Sequence, residues 1–328
     1  MKKIDSWLAP NNAKIPDFII CGAMKSGTST LHAILAKHPD IYIPEKEIHF
    51  FDMDNIIQHP DFNFFEKGCW SCHSVEKSPK KYWQWYLSNF TSANDNQIIG
   101  EDSTTYLASE LAAKRIGMQN KAIKTVIMLR HPTLRAYSQY WHMLRSGRAT
   151  YSFEDTLKFA PSSILNRSLY FQQIERFLKY VPKEQVKIVI FEEFLVDKVK
   201  CVEDVCKFLG VDFDLLPMRT IDLHENAAKY PKYPHLQFLK NRMFPSAGNS
   251  SYVDIFESNT KVTLSEKLSM SKIIDKAHRL INPLSVNKTA RMIPETRKFL
   301  DDYFYKELDG INELLEKDVL SVWFNSFE

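Results

Sequence analysis

The 328-residue sequence lacks the features that mark several protein classes. No apolar run is long enough to cross a membrane, so we expect no membrane-spanning helix. There is no excess of charge of one sign, because the formal net charge is only +3, which argues against a nucleic-acid partner. Internal repeats and low-complexity segments are also missing. These absences leave an ordinary globular protein, for which a mild positive bias suits an anionic small molecule.

Cysteine is scarce, and the five cysteines form an odd number, which argues against a disulfide framework. Cys69-Trp-Ser-Cys72-His73 fits both a redox pair and a haem-attachment pattern. A zinc site there would need further ligands, such as His59 and His73, so two loop thiols is the simplest interpretation. Asp5 interrupts any apolar segment at the N-terminus, which does not resemble a signal peptide. We therefore expect a cytoplasmic protein with reduced thiols and no metal.

Apolar runs alternate with helical patterns along the chain, which predicts an α/β fold. The runs are nearly continuous, as in strands that are covered on both faces, so the sheet should be parallel with helices on both sides. The predicted strands are residues 17–21, 97–100, 123–129 and 186–191. The predicted helices are residues 28–37, 106–116, 132–145, 167–180, 199–209, 264–280 and 294–308, with a last turn through Leu315. We predict a single domain over residues 1–328, with 53–81 and 212–260 as long insert or lid segments.

The stretch from Phe18 to Leu31 reads as a strand, a tight turn and the start of a helix. Gly22 and Gly27 would let backbone N–H groups close on an oxyanion, and Lys25 supplies a full positive charge. The turn differs from the phosphate loop of nucleotide hydrolases, because Thr28 rather than a lysine follows the second glycine. A glycine-rich turn without a ligand is the alternative.

A second cluster is Lys46-Glu47-Ile-His49-Phe-Phe-Asp52, in which two carboxylates and a histidine fall within one short stretch. Such residues are typical of acid–base catalysis, since a general base near neutral pH is usually a histidine or a buried glutamate. The alternative is a solvated charged turn that is anchored by its aromatic residues.

Further basic residues follow strands or open helices. Apolar residues deliver Arg130 to the end of a strand, and Ser138 lies on the second turn of the next helix, so both can face one anion. Asn166-Arg167-Ser168-Leu-Tyr170 stands at the start of a helix, and Lys288 and Arg291 lie in a polar loop. Ordinary capping or solvated charges are the alternative for each.

The order of these motifs, together with the form Gly-x-x-Lys-x-Gly-Thr-Ser at Gly22, resembles the sulfotransferases that use PAPS (3′-phosphoadenosine 5′-phosphosulfate). The chain is most similar to the carbohydrate branch that includes the heparan sulfate 3-O- and N-sulfotransferases. The resemblance covers residues 16–52 and 97–211 and the tail from about 287.

The resemblance implies a P-loop-like three-layer fold and a sulfotransferase that converts PAPS to PAP (adenosine 3′,5′-bisphosphate). Lys25, Glu47 and His49 would be catalytic, with Glu47 as the base, and Glu47, His49 and Asp52 would contact the acceptor. The residues that would bind the donor are Lys25, Ser26, Gly27, Thr28, Ser29, Thr30, Arg130, Ser138, Lys288 and Arg291.

The chain departs from that branch after its second core strand, where Glu-Lys-Thr-Pro-x-Tyr is replaced by Glu101-Asp102-Ser-Thr-Thr-Tyr106. It also has no pair of cysteines to match the bridged hairpin near the C-terminus of the heparan enzymes. We therefore expect the acceptor to be a small natural product or a carbohydrate with a reactive hydroxyl or amine. A P-loop kinase and a non-catalytic nucleotide-binding module are the alternatives.

Overall fold

The computed structural model describes residues 5–58, 64–66, 69–72, 74–222, 230–244, 270–285 and 291–324. Lys288, His59 and His73 lie outside these ranges. None of the helices within them is both long and apolar enough to pass through a lipid bilayer.

The core of the molecule is a five-stranded sheet in the order β2-β5-β1-β6-β7. Every neighbouring pair in this sheet is parallel. Two small antiparallel pairs, β3-β4 and β8-β9, lie apart from it. The strands are β1 (Phe18–Gly22), β2 (Ile41–Tyr42), β3 (Phe64–Glu66), β4 (Cys69–Ser71), β5 (Ile98–Asp102), β6 (Lys124–Leu129), β7 (Val186–Ile190), β8 (Tyr230–Pro231) and β9 (Leu284–Ser285).

Helices connect the strands and cover the sheet. Within the described ranges they are α1 (Thr28–Leu35), α2 (Pro79–Ser88), α3 (Ala112–Gly117), α4 (Pro132–Arg145), α5 (Phe153–Phe159), α6 (Ser162–Leu165), α7 (Tyr170–Leu178), α8 (Phe191–Val196), α9 (Lys198–Leu209), α10 (Pro234–Met243), α11 (Met270–Ile281), α12 (Pro294–Glu307), α13 (Ile311–Leu315) and α14 (Leu320–Phe324).

Two hydrophobic cores lie on opposite faces of the sheet, because successive side chains of a strand point to opposite sides. Phe18 and Ile20 of β1 pack in the core that contains α1 and α9. Ile19 and Cys21 pack in the larger core that contains α3, α4, α7 and α12. Both faces of the sheet are therefore buried, and the predicted three-layer α/β fold with a central parallel sheet is confirmed.

The predicted core elements agree with the structure to within a few residues, and α4 agrees at both ends. The predicted helix over 106–116 is wrong in its first half, since residues 106–111 form turns and α3 begins at Ala112. Segments 53–81 and 212–260 also contain regular structure, namely the β3-β4 hairpin, the start of α2 and α10. The described parts of these segments are not plain loops, because Val75 of the first and Tyr230 and Phe238 of the second pack in or against the main core.

Candidate active site

The carboxyl end of β1 leads into a turn that wraps around the start of α1. Gly27 caps this helix with a φ of 92°. A side chain there would meet the ring of Phe191 at 2.6 Å, and one at Gly22 would meet the carbonyl oxygen of Thr104 at 2.5 Å. Only glycine fits both places without rearrangement, since positive φ is also strained for other residues. The turn therefore lies close to Phe191, which follows β7, and to Thr104, which follows β5.

Hydrogen-bond donors converge on this turn. No backbone carbonyl of the described chain accepts from the N–H groups of Gly27, Thr28 and Ser29, which begin α1. Lys25 is half-buried, and burial lowers the pKa of its ammonium group, with a further lowering by Arg145 and Arg130. Open N–H groups at a helix start and several cations at one place form a site that suits a polyanion.

Arg130 follows β6 and reaches the turn, where its Nη1 donates to the carbonyl oxygen of Lys25 at 3.2 Å. Its guanidinium also lies over the ring of Phe191, 4.9 Å from the ring centroid. The buried Nε of Arg130 has no hydrogen-bond partner among the described residues. A buried donor without a partner is costly, so this group suits an incoming oxyanion.

The Asn166–Tyr170 stretch is bonded to Arg130, to the turn and to the start of α4. The Tyr170 hydroxyl donates to the carbonyl oxygen of Arg130 at 2.8 Å. The Arg167 guanidinium donates to the sulfur of Met24 at 2.9 Å, within the turn itself. Buried Arg135 donates to the Ser168 hydroxyl, which in turn donates to the carbonyl oxygen of Pro132 at 2.9 Å. The stretch thus holds Arg130, the turn and the start of α4 together.

Glu47 and His49 form a close pair that Thr104 links to the turn. One carboxylate oxygen of Glu47 lies 3.0 Å from His49 Nε2 and accepts from the Thr104 hydroxyl at 2.8 Å. Burial disfavours the charged carboxylate, but the hydrogen bond and the charge of His49 outweigh it and lower the pKa of Glu47 to about 2. The pKa of His49 is raised, because the hydrogen bond and charge of Glu47 outweigh the opposing effect of burial.

The turn after β5, which contains Ser103 and Thr105, holds His49 of this pair in place. His49 N–H donates to the Ser103 hydroxyl at 2.9 Å, and His49 Nδ1 lies 3.0 Å from the Thr105 hydroxyl. The Ser103 hydroxyl donates to buried Glu101 at 2.7 Å, and the Tyr86 and Tyr106 hydroxyls donate to the same carboxylate. Burial raises the pKa of Glu101 despite these bonds.

Asp102, which stands where the sequence resemblance implies a lysine, is buried, and one of its carboxylate oxygens lies 3.1 Å from His32 Nδ1. Burial raises the pKa of Asp102 to about 6, and the nearby Glu47 charge adds to the rise while His32 and His49 oppose it. The position thus carries a buried acid beside a histidine of α1 instead of a cation.

The structure brings Lys25, Arg130, Glu47 and His49 to one edge of the sheet, as the sequence predicts for the carboxyl ends of parallel strands. Asp52 is completely buried, and its charge raises the pKa of His49, so a role through His49 fits its position better than contact with an acceptor. Ser138 is half-buried on α4, and Arg291 is exposed before α12. Lys288 lies outside the described residues.

Several residues of the site were missed by sequence reasoning. Ser103, Thr104 and Thr105 hold Glu47 and His49, but the stretch was noted only as a departure from a pattern. His32 was missed because its sequence context is that of an ordinary helix residue.

Cys72 is an exposed free thiol next to β4, and no group of His, Cys, Asp or Glu within the described ranges has a metal-binding arrangement.

A family model described as the sulfotransferase domain matches residues 15–311 of this chain. The chain belongs to the sulfotransferase family. The resemblance that the motif order indicated is therefore confirmed.

Curated sulfotransferases and solved structures agree with this. Heparan sulfate glucosamine 3-O-sulfotransferase 5 of Mus musculus is 30% identical over 210 residues, which are 60% of this chain and 54% of that protein. Bifunctional heparan sulfate N-deacetylase/N-sulfotransferase 2 of Homo sapiens is 27% identical over 285 residues, 78% of this chain and 30% of that protein. The chain thus spans about half or less of these relatives. The crystal structure of a sulfotransferase from Alicyclobacillus acidocaldarius matches with a TM-score of 0.61 and 27% identity, over 94% of this chain and 98% of that one.

Proposed function

We propose that this protein transfers the sulfuryl group of PAPS to a hydroxyl or an amine of an acceptor. The observation that carries the proposal is that Thr104 contacts both parts of the site: its hydroxyl donates to the Glu47 carboxylate at 2.8 Å, and its carbonyl lies against Gly22 of the turn that carries Lys25. A cation for a leaving phosphate thus lies near a carboxylate that can take a proton. A non-catalytic nucleotide-binding module would need only the cation and not the carboxylate.

The donor side fits a ligand with two separate anionic ends. Lys25 and the backbone of residues 26–30 would hold the 5′-phosphosulfate. Arg130, whose buried Nε lacks a partner among the described residues, would bind the 3′-phosphate together with Ser138. Arginine suits this task because its planar guanidinium binds phosphate through two parallel hydrogen bonds. Lys288 and Arg291 would close over the donor from the polar loop.

PAPS supplies an activated sulfuryl group and leaves as PAP. Glu47 takes the proton of the acceptor, and His49, held by Ser103 and Thr105, keeps the carboxylate in place. Lys25 and the N–H groups at the start of α1 stabilise the negative charge that develops on the leaving phosphate oxygen. The residues thus contribute positioning, proton removal and charge stabilisation on opposite sides of the reacting centre.

The acceptor is proposed to be a carbohydrate or a small molecule. The two curated relatives are named for heparan sulfate, which supports a saccharide. Asp102, whose pKa the charge of the proposed base Glu47 helps to raise, stands where the sequence resemblance implies a lysine, which favours an acceptor that differs from heparan sulfate. The cytoplasmic location, the single domain and independence from metal remain predictions.

A labelled-PAPS transfer assay across glycans, phenols, alkaloids and amines tests this function. We expect transfer to at least one class, and a rise in melting temperature with PAP that exceeds the rise with 5′-AMP, which lacks the 3′-phosphate. No transfer combined with no PAP-induced rise would refute the proposal. Magnesium-dependent ATP turnover would instead favour a kinase, and PAP binding without any turnover would favour a binding module.

A further inference from the structure

The Glu47–Asp52 segment contains a residue in an unusual backbone conformation. His49 has a φ of 57° and a ψ of 34°, which is the left-handed region. A residue other than glycine keeps this conformation only where neighbouring groups hold its backbone in place. The position of the His49 ring beside Glu47 therefore depends on the groups that bind the backbone of this segment.

Two hydroxyl groups bind that backbone. The N–H group of His49 donates to the Ser103 hydroxyl at 2.9 Å. The N–H group of Phe51 donates to the Tyr106 hydroxyl at 3.0 Å. Both hydroxyls belong to the stretch that follows β5, so the Glu47–Asp52 segment is fixed to the end of this strand at two points.

A single carboxyl oxygen determines the direction of both hydroxyls. A hydroxyl has one hydrogen, and a backbone N–H group can only donate, so the hydrogen of each hydroxyl must point to another acceptor. That acceptor is Glu101 Oε1, which lies 2.7 Å from the Ser103 hydroxyl oxygen and 2.5 Å from the Tyr106 hydroxyl oxygen. Glu101 thus leaves lone pairs of both hydroxyls directed at the segment.

The surroundings of Glu101 keep its carboxyl group in one place. The residue is completely buried at the end of β5, so water does not compete for its oxygens. Its second oxygen, Oε2, accepts from the Tyr86 hydroxyl at 2.5 Å. A buried polar group whose partners are all present is rigid. The carboxyl group is therefore a fixed reference point for the hydroxyls that bind it.

The two tyrosines differ in what else their hydroxyls bind. Among the described residues, no N–H group donates to the Tyr86 hydroxyl, whereas the Tyr106 hydroxyl accepts from Phe51. Their rings pack alike, since Tyr86 stacks on Phe50 at 4.2 Å between ring centroids and Tyr106 meets Phe51 edge-on at 5.9 Å. Removing either hydroxyl leaves this packing intact, but only one removal breaks a bond to the segment.

We propose that Glu101 is a positioning residue for the Glu47–His49 pair. Its carboxyl oxygen directs the hydroxyls of Ser103 and Tyr106 to accept the N–H groups of the segment that carries the pair. This inference rests on the proposed function, in which Glu47 takes the proton of the acceptor. A base must lie within hydrogen-bond reach of that proton, so a loosened segment slows transfer without weakening donor binding.

The kinetic test compares two variants that each remove one hydroxyl bonded to Glu101. Tyr106→Phe should lower kcat by about 10- to 100-fold with the KM for PAPS unchanged, because the segment loses one of its two supports. Tyr86→Phe should lower kcat by at most about threefold, because its hydroxyl binds only the carboxyl group. Buried Tyr140→Phe on α4, whose hydroxyl donates to the carbonyl oxygen of Tyr151 at 3.0 Å, is the control and should match the wild type.

Two further variants test the carboxyl group itself. Glu101→Met keeps a similar length but offers only a weakly accepting sulfur, so kcat should fall at least as far as in Tyr106→Phe. Glu101→Gln keeps an oxygen that can accept from both hydroxyls and should recover most of this loss. If Glu101→Met does not fold, the two tyrosine variants and Glu101→Gln still decide the question.

The hold on the segment can be measured without any turnover. Protein labelled with nitrogen-15 at histidine is transferred to D2O and studied by NMR, and the His49 amide signal is assigned from its loss in His49→Gln. Exchange of this amide should be at least about 10-fold faster in Tyr106→Phe than in the wild type. It should be unchanged in Tyr140→Phe.

The outcomes separate the two proposals. Equal losses of kcat in Tyr106→Phe and Tyr86→Phe, or wild-type amide exchange in Tyr106→Phe, overturn the role of Glu101 and leave the sulfotransferase function standing. Lower activity of Glu101→Gln than of Tyr106→Phe also overturns it, because an accepting oxygen would then not be sufficient. No transfer by the wild-type protein, together with the expected exchange rates, refutes the proposed function while the support of the segment by Glu101 stands.

Discussion

The two sides of the candidate site are built in different ways. The donor side consists of backbone N–H groups and cations around Gly22–Thr30, where two glycines allow close approach of neighbouring strand ends. The acceptor side consists of side chains: Glu47 and His49 are held by the hydroxyls of Ser103, Thr104 and Thr105, and the Ser103 hydroxyl in turn donates to buried Glu101. The first can bind an anion as it stands, whereas the second depends on a chain of hydrogen bonds.

This difference should separate binding of the donor from removal of the acceptor's proton. A site made of backbone and fixed cations loses affinity when a cation is removed. A site made of a carboxylate–histidine pair loses the ability to move a proton while its shape remains. A variant on the acceptor side should therefore fail only in the transfer assay, whereas a variant on the donor side should also weaken PAP binding, and three experiments sharpen the contrast.

The largest effect is expected from Glu47→Gln on the acceptor side. The amide keeps an oxygen for the Thr104 hydroxyl but cannot take a proton, so kcat should fall by about 100- to 10,000-fold. The PAP-induced rise in melting temperature should stay unchanged, because the donor side is intact. Transfer assays and thermal unfolding with PAP measure the two effects.

The matched control is Glu45→Gln, which changes an exposed glutamate of the same segment and should behave as the wild type. If Glu47→Gln keeps full activity, His49 is the base and the assignment of Glu47 is wrong. Loss of PAP binding in this variant would mean that the two sides are not separable.

Lys25→Ala should fail in both assays, with kcat reduced by about 100- to 1,000-fold, as for the loss of one group that stabilises developing charge. The PAP-induced rise in melting temperature should also shrink, since burial and neighbouring cations place Lys25 in the anion site. Exposed Lys37→Ala, just beyond α1, removes an equal charge and should change neither. Normal PAP binding by Lys25→Ala would show that Lys25 does not contribute to binding of the donor.

The donor side was largely predictable from the sequence because its determinants are local. Strand, glycines, lysine and helix start lie within one short stretch, and the bounds of α4 follow from Pro132 in its first turn. Arg130 was placed correctly at the sheet edge, because the apolar run of β6 ends directly before it.

The supports of the acceptor side were not predictable in the same way. His49 meets Ser103 and Thr105 across more than fifty residues of sequence, and hydroxyls become ligands only when the end of β5 lies beside that turn. The edge strand β2 has two residues and exists through its pairing with β5. Helix α2 was missed because its buried positions are the aromatic residues Tyr82, Trp83 and Tyr86, and because its start at Pro79 falls in the segment 53–81 that was interpreted as a loop.

The smallest effect concerns the link between the two sides, the Asp102–His32 pair that joins β5 to α1. Because burial raises the pKa of Asp102 from 3.8 to about 6, the folded chain holds this proton where the unfolded chain has released it. The contribution of Asp102 to the free energy of unfolding should therefore fall as pH rises from about 4 to 6, and stay constant above that. Asp102→Asn removes this dependence.

Denaturant unfolding at pH 4, 5, 6 and 7 gives the free energies of unfolding of the wild type and of Asp102→Asn. In the difference between the two, the pH-dependent contributions of Glu47 and His49 largely cancel, because both residues are present in both chains. The wild type should lose on the order of 1–3 kcal/mol relative to the variant across this window. Exposed Asp309→Asn should show no such trend. A constant difference between wild type and Asp102→Asn would mean that Asp102 is ionised throughout, so that the two sides of the site share a fixed negative charge instead of a held proton.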